Sequence, residues 1–193
     1  LRRFFLPRRS TEEKAESRIK ILEAAAHLIR IHGIEGTSVS QIMDRAGLTH
    51  GGFYRHFESK EELVAEAIAE AFKAGLNWFD DDKSGSRTQA LAYLDQYLDA
   101  THVSEPEIGC PMPTLSAEIA RGGDDWKSAL SKGLDRASTR LAEGVFDGDQ
   151  TQAIGLLSQL VGAIALARAV NDAALRERLL TAAIDRVQLT VDE

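Results

Sequence analysis

The amino-acid sequence predicts an all-α protein of about nine helices. Three observations carry that prediction. Alternating β-branched runs are absent, and no Asn-Gly or Asp-Gly pair joins two strand-like segments. Capping boxes recur at Ser10-Thr-Glu-Glu13, Ser38-Val-Ser-Gln41 and Ser59-Lys-Glu-Glu62. Gly33, Gly47 and Gly75 close periodic segments, where a left-handed residue costs glycine little.

The first helix is expected over 11–32, with Ile19, Leu22, Ala26 and Ile29 as one buried stripe. The second runs from a Ser38 cap to Gly47. The third is short, over 50–57, and is opened by Thr49. The fourth starts at a Ser59 cap and carries Leu63, Ala67, Phe72 and Leu76 toward Trp78. The stretch from Asp80 to Ser86 reads as a loop and is the best linker. Beyond it, Thr88–Ala100 is amphipathic through Leu91, Leu94 and Leu98. Pro106, Pro111 and Pro113 then break the helical pattern. Helices resume over 114–120 and 124–146. Two more span 149–170 and 172–189, capped by Asp149 and Asp172. These last two have long apolar faces: Ile154, Leu157, Leu160, Val161 and Ile164, then Leu175, Leu179, Ala182 and Val187.

With 193 residues, 44% of them hydrophobic and 27% charged, the chain can build a packed core. Its one cysteine, Cys110, excludes a disulfide framework and fits a reducing compartment. The net charge of −7 hides a division. Residues 1–60 hold eleven Lys and Arg against seven Asp and Glu, a surplus of +4, and four of the five histidines. The remainder carries −11. Such asymmetry points to a polyanion met at one end, or simply to a solvated helical surface. No segment is expected to cross a membrane. The longest apolar run, Leu160–Ala167, falls short of the ~18 residues required. The start, LRRFFLPRRS, lacks a secretory h-region, so a cytoplasmic location is expected. Enzyme signatures are absent: no Gly-rich phosphate loop, no HExxH, no GxSxG and no Cys/His ligand spacing. No catalytic residue, metal or cofactor is therefore expected.

The informative stretch is 38–57. Ile42 and Met43 face inward from one short helix, and Ala46-Gly47-Leu48 makes a tight turn in which Leu48 plugs the interhelical angle. A second short helix comes next. This is a helix-turn-helix plan, whose second helix enters the major groove. Gly51 and Gly52 cost that helix about 1 kcal/mol each relative to Ala. Close approach to a bulky partner explains them. Phe53 and Phe57, spaced i, i+4, are expected to bury against the first of these helices, leaving Tyr54, Arg55 and His56 outward. With Lys60, these are phosphate donors. An all-helical interaction protein that binds no DNA is the competing reading.

The stretch 19–63 resembles the TetR family of bacterial transcriptional repressors. The residues that carry the resemblance are Ile21-Leu22-Glu23-Ala24-Ala25, Gly33, Gly36-Thr37-Ser38, Ile42, Ala46-Gly47-Leu48, Gly52-Phe53-Tyr54, His56-Phe57 and Ser59 to Leu63. The resemblance implies a DNA-binding domain over 11–75, with three helices and a connecting fourth. It also implies a helical effector-binding and dimerisation domain over 76–193. Ser38 and Ser40 would contact phosphates. Thr49, His50, Gly51 and Gly52 would face base edges or the groove floor. Tyr54, His56 and Lys60 would clamp the backbone, and Arg55 would contact base or phosphate. The arm residues Arg2, Arg3, Arg8 and Arg9 would add phosphate or minor-groove contacts.

The implied partners are a double-stranded DNA operator, a second copy of the chain and a small-molecule effector, in a bacterial cytoplasm. The dimer interface would be a four-helix arrangement using Leu157, Leu160, Val161, Ile164, Leu175, Leu179 and Ala182. Leu94, Tyr97, Leu98, Cys110, Met112, Leu115, Trp126 and Leu130 are expected either to line the ligand pocket or to pack the core. Cys110 is either a redox or electrophile sensor or a buried, inert thiol.

Overall fold

The computed structural model describes residues 11–76 and 87–192. The four arm arginines, the Ser10 cap, Trp78 and the 80–86 loop lie outside the described residues. Among the described residues there are nine α-helices and no strand. They are α1 (Thr11–His32), α2 (Val39–Arg45), α3 (Lys60–Leu76), α4 (Arg87–Tyr97), α5 (Ala100–Ser104), α6 (Met112–Arg121), α7 (Asp124–Val145), α8 (Gln150–Ala169) and α9 (Ala173–Asp192). Two 3₁₀ turns, His50–Arg55 and Pro106–Ile108, complete the order.

Helix α1 packs on α2 and α3, and α3 in turn packs on α7. Helix α7 also carries α4 and α8, and α8 carries α9. The α3–α7 crossing is close because position 133 is glycine: a Cβ there would lie 2.4 Å from the Phe72 ring. The buried stripe of α1 differs from the expected one. Ile21, Ala25 and Ile29 are its inward residues, whereas Ile19 is 55% exposed and Leu22 only half-buried. Both stripes keep helical spacing. Packing against α2 and α3 together selects the face that carries the small residues Ala24, Ala25 and Ala26.

Two further corrections concern local structure. The third helix is a 3₁₀ turn, closed by Gly52 N–H to Thr49 O and His56 N–H to Phe53 O, both 2.9 Å. Two glycines and six residues do not sustain an α-helix, and a 3₁₀ turn is the usual short substitute. Thr49 occupies the cap position, but its side chain makes no capping bond. The short helix α5 is an addition to the expected elements. Asp99 caps it, accepting from Thr101 N–H at 2.7 Å.

One helix bears on the expectation that no segment crosses a membrane. By length and composition α8 is apolar enough to span one, with a mean hydropathy of 1.4. Its polar residues are Gln, Thr, Ser and a single Arg168 in the last turn, so its apolar runs are broken with only one charge added. One face of α8 packs into the helical core through Leu156, Leu157, Leu160 and Ile164. That is the packing of a core helix. It also corrects the dimer assignment. Leu157, Leu160 and Ile164 are fully buried within their own chain and cannot reach a second copy. Val161 and Leu179 are half-buried, while Leu175 and Ala182 are exposed.

Candidate nucleic-acid interface and sensor cleft

The helix-turn-helix is built by local rules. Ser38 caps α2 through a complete capping box: its hydroxyl accepts from Gln41 N–H, and its own N–H donates to Gln41 Oε1 at 2.8 Å. Ile42 and Met43 are fully buried. Helix α2 ends in a Schellman turn, with Leu48 N–H donating to Met43 O at 2.9 Å and Gly47 N–H to Asp44 O at 3.1 Å. Gly47 has φ +69°, which only glycine adopts cheaply. The half-buried Leu48 packs against the core in the angle, as expected.

The 3₁₀ turn then presents its outer face. Phe53 and Phe57 are buried and stacked, with ring centroids 5.9 Å apart. Tyr54 lies edge-on to Phe53 and is 75% exposed. Ser40, Thr49, His50, Gly51 and Arg55 are also exposed. A Cβ at Gly51 would meet nothing within 4 Å, and at Gly52 only Met43 and Thr49 at van der Waals distance. Neither glycine has positive φ. Nothing inside the chain therefore requires glycine at position 51.

Two expected contacts have inward attachments instead. His56 is half-buried at the end of the turn. The Lys60 ammonium donates to Ile34 O at 2.9 Å, tying α3 to the loop after α1. Ser59 caps α3 by accepting from Glu62 N–H at 3.1 Å, while the Glu62 carboxylate accepts from Glu58 N–H rather than from Ser59. Arg18 carries no signal in the sequence that would single it out. It stacks 4.4 Å above Phe57 and pairs with Glu66 at 2.6 Å, bracing the turn from behind.

In the second half, a cleft of about 680 Å³ opens between α4, α5 and the 108–110 segment. Of the expected pocket residues, Tyr97 and Cys110 line it. Leu94, Leu98, Met112 and Leu115 are core instead. Trp126 and Leu130 sit on α7 away from the cleft, and Trp126 Nε1 donates to Glu61 O at 3.1 Å, joining α7 to α3. Tyr93 and His102 also line the cleft, beyond the residues expected there. The one sequence signal for His102 is its position as an isolated histidine in the acidic part of the chain, ahead of a proline-broken segment.

His102 organises the cleft floor. Its Nε2 accepts from Cys110 N–H at 3.0 Å, so the proton sits on Nδ1, which donates to Tyr97 O at 2.7 Å. Burial lowers its pKa to about 4, helped by the Arg168 charge. Burial pushes the Cys110 thiol up, which makes it an inert thiol in this state. The floor is wired to the DNA-reading half. Arg30, buried in α1, donates to Gly109 O at 3.2 Å. The Glu118 carboxylate of α6 accepts from Ile34 N–H at 2.5 Å and Glu35 N–H at 3.1 Å. Among the described residues, no group of three or more His, Cys, Asp or Glu is placed to hold a metal.

Comparison with known proteins agrees with this architecture. Residues 21–67 match the family model for bacterial regulatory proteins of the TetR family. The chain is 31% identical over 150 residues to the HTH-type transcriptional regulator YfiR of Bacillus subtilis, covering 74% of this chain and 72% of that protein. It is 26% identical to the HTH-type transcriptional repressor NemR of Escherichia coli K12, over 72% of each chain. A solved TetR transcriptional regulator from Chloroflexus aurantiacus superposes with a TM-score of 0.70 at 25% identity, covering 92% of this chain and 97% of that one. The chain belongs to the TetR family, and it is a helix-turn-helix DNA-binding regulator of transcription rather than an enzyme.

Proposed function

We propose that the protein is a homodimeric repressor that binds a palindromic operator and is released by a small-molecule effector. In this reading residues 11–75 read DNA and 76–193 sense and dimerise. The observation that carries the DNA face is the outward array Thr49, His50, Gly51, Tyr54 and Arg55 on a turn whose inner side is locked by Phe53 and Phe57. Phosphate contacts come from Ser40, Tyr54, Arg55 and the remaining N–H groups of Lys60; Ser38, His56 and Gly52 set the turn against the groove. Few side chains are left for direct base readout, so shape and water contribute to sequence preference.

Tyr54→Ala is the direct test, by gel shift against fragments of the protein's own promoter region. Affinity is expected to fall about tenfold on all fragments alike, as loss of a phosphate contact does. Unchanged affinity would mean that Tyr54 does not touch DNA. In the parent protein, affinity is expected to drop steeply with salt, in keeping with ~4–8 phosphates neutralised per dimer.

The dimer reading is supported by what α8 and α9 leave uncovered. Ile154, Gly162 and Leu166 follow one another along the outer side of α8, and Leu166 is 55% exposed. Leu175, Leu179, Ala182 and Leu189 run along α9. Two copies joined there would hold two readers for half-sites about 34–36 Å apart. Leu166→Glu is expected to shift the protein to monomer in sedimentation at micromolar concentration, with helix content unchanged. A variant that remains dimeric would place the interface elsewhere.

A further inference from the structure

The cleft over Tyr97 carries an inference that rests on the effector reading above and specifies its ligand. Among the described residues, the only formal charges on the cleft lining are two carboxylates, Asp95 and Asp99, both exposed and four positions apart in the chain. The walls are the Tyr93 and Tyr97 rings, edge to face with centroids 5.5 Å apart, together with the largely exposed side chain of Ile108. At the inner end the Tyr97 hydroxyl is buried, and its one partner is the Cys110 thiol. The Cys110 thiol beside it is a weak acceptor at most. A buried hydroxyl left this way is costly, and a ligand oxygen would relieve it. Behind the floor stand two cations. Arg30 donates to Gly109 O, and Arg168 donates to His102 O and Val103 O. Neither forms an ion pair among the described residues.

The cleft is therefore negative at its mouth, while behind its floor the Arg30 and Arg168 charges are met in part by Glu107. A carboxylate ligand would meet Asp95 and Asp99 first. A cation pushed to the floor would face Arg30 and Arg168. We propose that the cleft takes a small aromatic amine. Its ammonium sits between Asp95 and Asp99, its ring lies against Tyr93 and Tyr97, and an oxygen acceptor at its far end receives the Tyr97 hydroxyl. Cation–π attraction to the tyrosines adds to the carboxylate attraction at the mouth.

Three matched probes test this on the full chain by isothermal titration: 4-acetylbenzylamine, 4-ethylbenzylamine and 4-acetylbenzoate. The ketone amine is expected to bind tightest. Loss of the acceptor or reversal of the charge should each weaken binding about tenfold, the effect of roughly one hydrogen bond or ion pair. Tyr97→Phe should erase the difference between the two amines while leaving thermal stability little changed, because the hydroxyl's one partner is the weakly accepting Cys110 thiol. Asp95→Asn with Asp99→Asn should erase the preference for the amine over the benzoate; asparagine still caps α5. Benzoate binding as tight as the amine, amines that do not differ, or no binding at millimolar probe overturns the proposal. Operator release is measured separately. Probe binding in the expected order without release refutes the effector reading and leaves the ligand class standing. Intact operator binding with no probe bound refutes the ligand class alone.

Discussion

Gly51→Leu is expected to abolish operator binding without harming the fold. The position is exposed, its φ is not left-handed, and a Cβ there meets nothing within 4 Å. Glycine lowers helical stability by about 1 kcal/mol relative to alanine, so Gly51→Ala should raise the unfolding free energy by roughly 0.4–1 kcal/mol. A residue that the chain would be more stable without is retained for an outside reason. In the function proposed above, that reason is the approach of the backbone to the groove. An added Cβ there acts like overpacking in a formed interface, at roughly 1–3 kcal/mol, which predicts about a tenfold loss for alanine and a hundredfold or greater loss for leucine. Thermal melts and gel shifts on the same preparations separate the two effects. If Gly51→Leu melts like the parent and also binds DNA like the parent, the groove contact lies on another surface.

The features legible in the sequence are those that depend on neighbours along the chain. The Ser38 box, the Gly47 turn, the Phe53–Phe57 pair and the Asp149 and Asp172 caps each involve residues two to five apart, and each forms as expected. Periodicity locates α8 and α9 but does not tell their two apolar sides apart. Leu157 and Leu166 look alike in a sequence, yet one is buried in the core and the other is exposed. The same limit exchanges Ile19 for Ile21. The residues that escape sequence reasoning altogether act over long separations. Arg18 meets Glu66, Arg30 meets Gly109, Glu118 meets Ile34, and Arg168 meets His102. Each is a charged residue on an ordinary amphipathic helix, and only the tertiary fold distinguishes it from a solvated one. Arg18–Glu66 stands behind the recognition turn, Arg30–Gly109 and Glu118–Ile34 join the first half of the chain to the second, and Arg168–His102 ties α8 to α5. The contacts that join the two halves are therefore the least visible in sequence.

Acidification is expected to destabilise the protein between pH 6.5 and about 4 through His102. Its neutral ring bridges Tyr97 O and Cys110 N–H, and a proton on Nε2 would set two N–H groups against each other. In the unfolded chain a histidine takes its proton near pH 6.5, whereas burial holds the folded ring neutral down to about 4. The unfolded state therefore binds more protons throughout that window, and stability falls as pH falls. The contribution is fully present above pH 6.5 and has been lost once pH passes below about 4. Its size is on the order of 3 kcal/mol. Burial lowers the pKa of His27 as well, so the parent's slope alone does not isolate His102. The comparison with His102→Ala does. That variant leaves Cys110 N–H and Tyr97 O without their partner and opens space beside Gly109, where a Cβ would lie only 2.0 Å from the ring. It should lose roughly 2–4 kcal/mol at pH 7.5. From pH 7.5 to 4.5 its urea unfolding free energy should decline less steeply than the parent's, so that the two curves converge. Parallel curves would show that His102 does not carry the acid sensitivity. Convergence would locate the first effect of acid at the floor of the cleft, on the bond that holds Cys110 against Tyr97, which is also the segment Arg30 ties to α1.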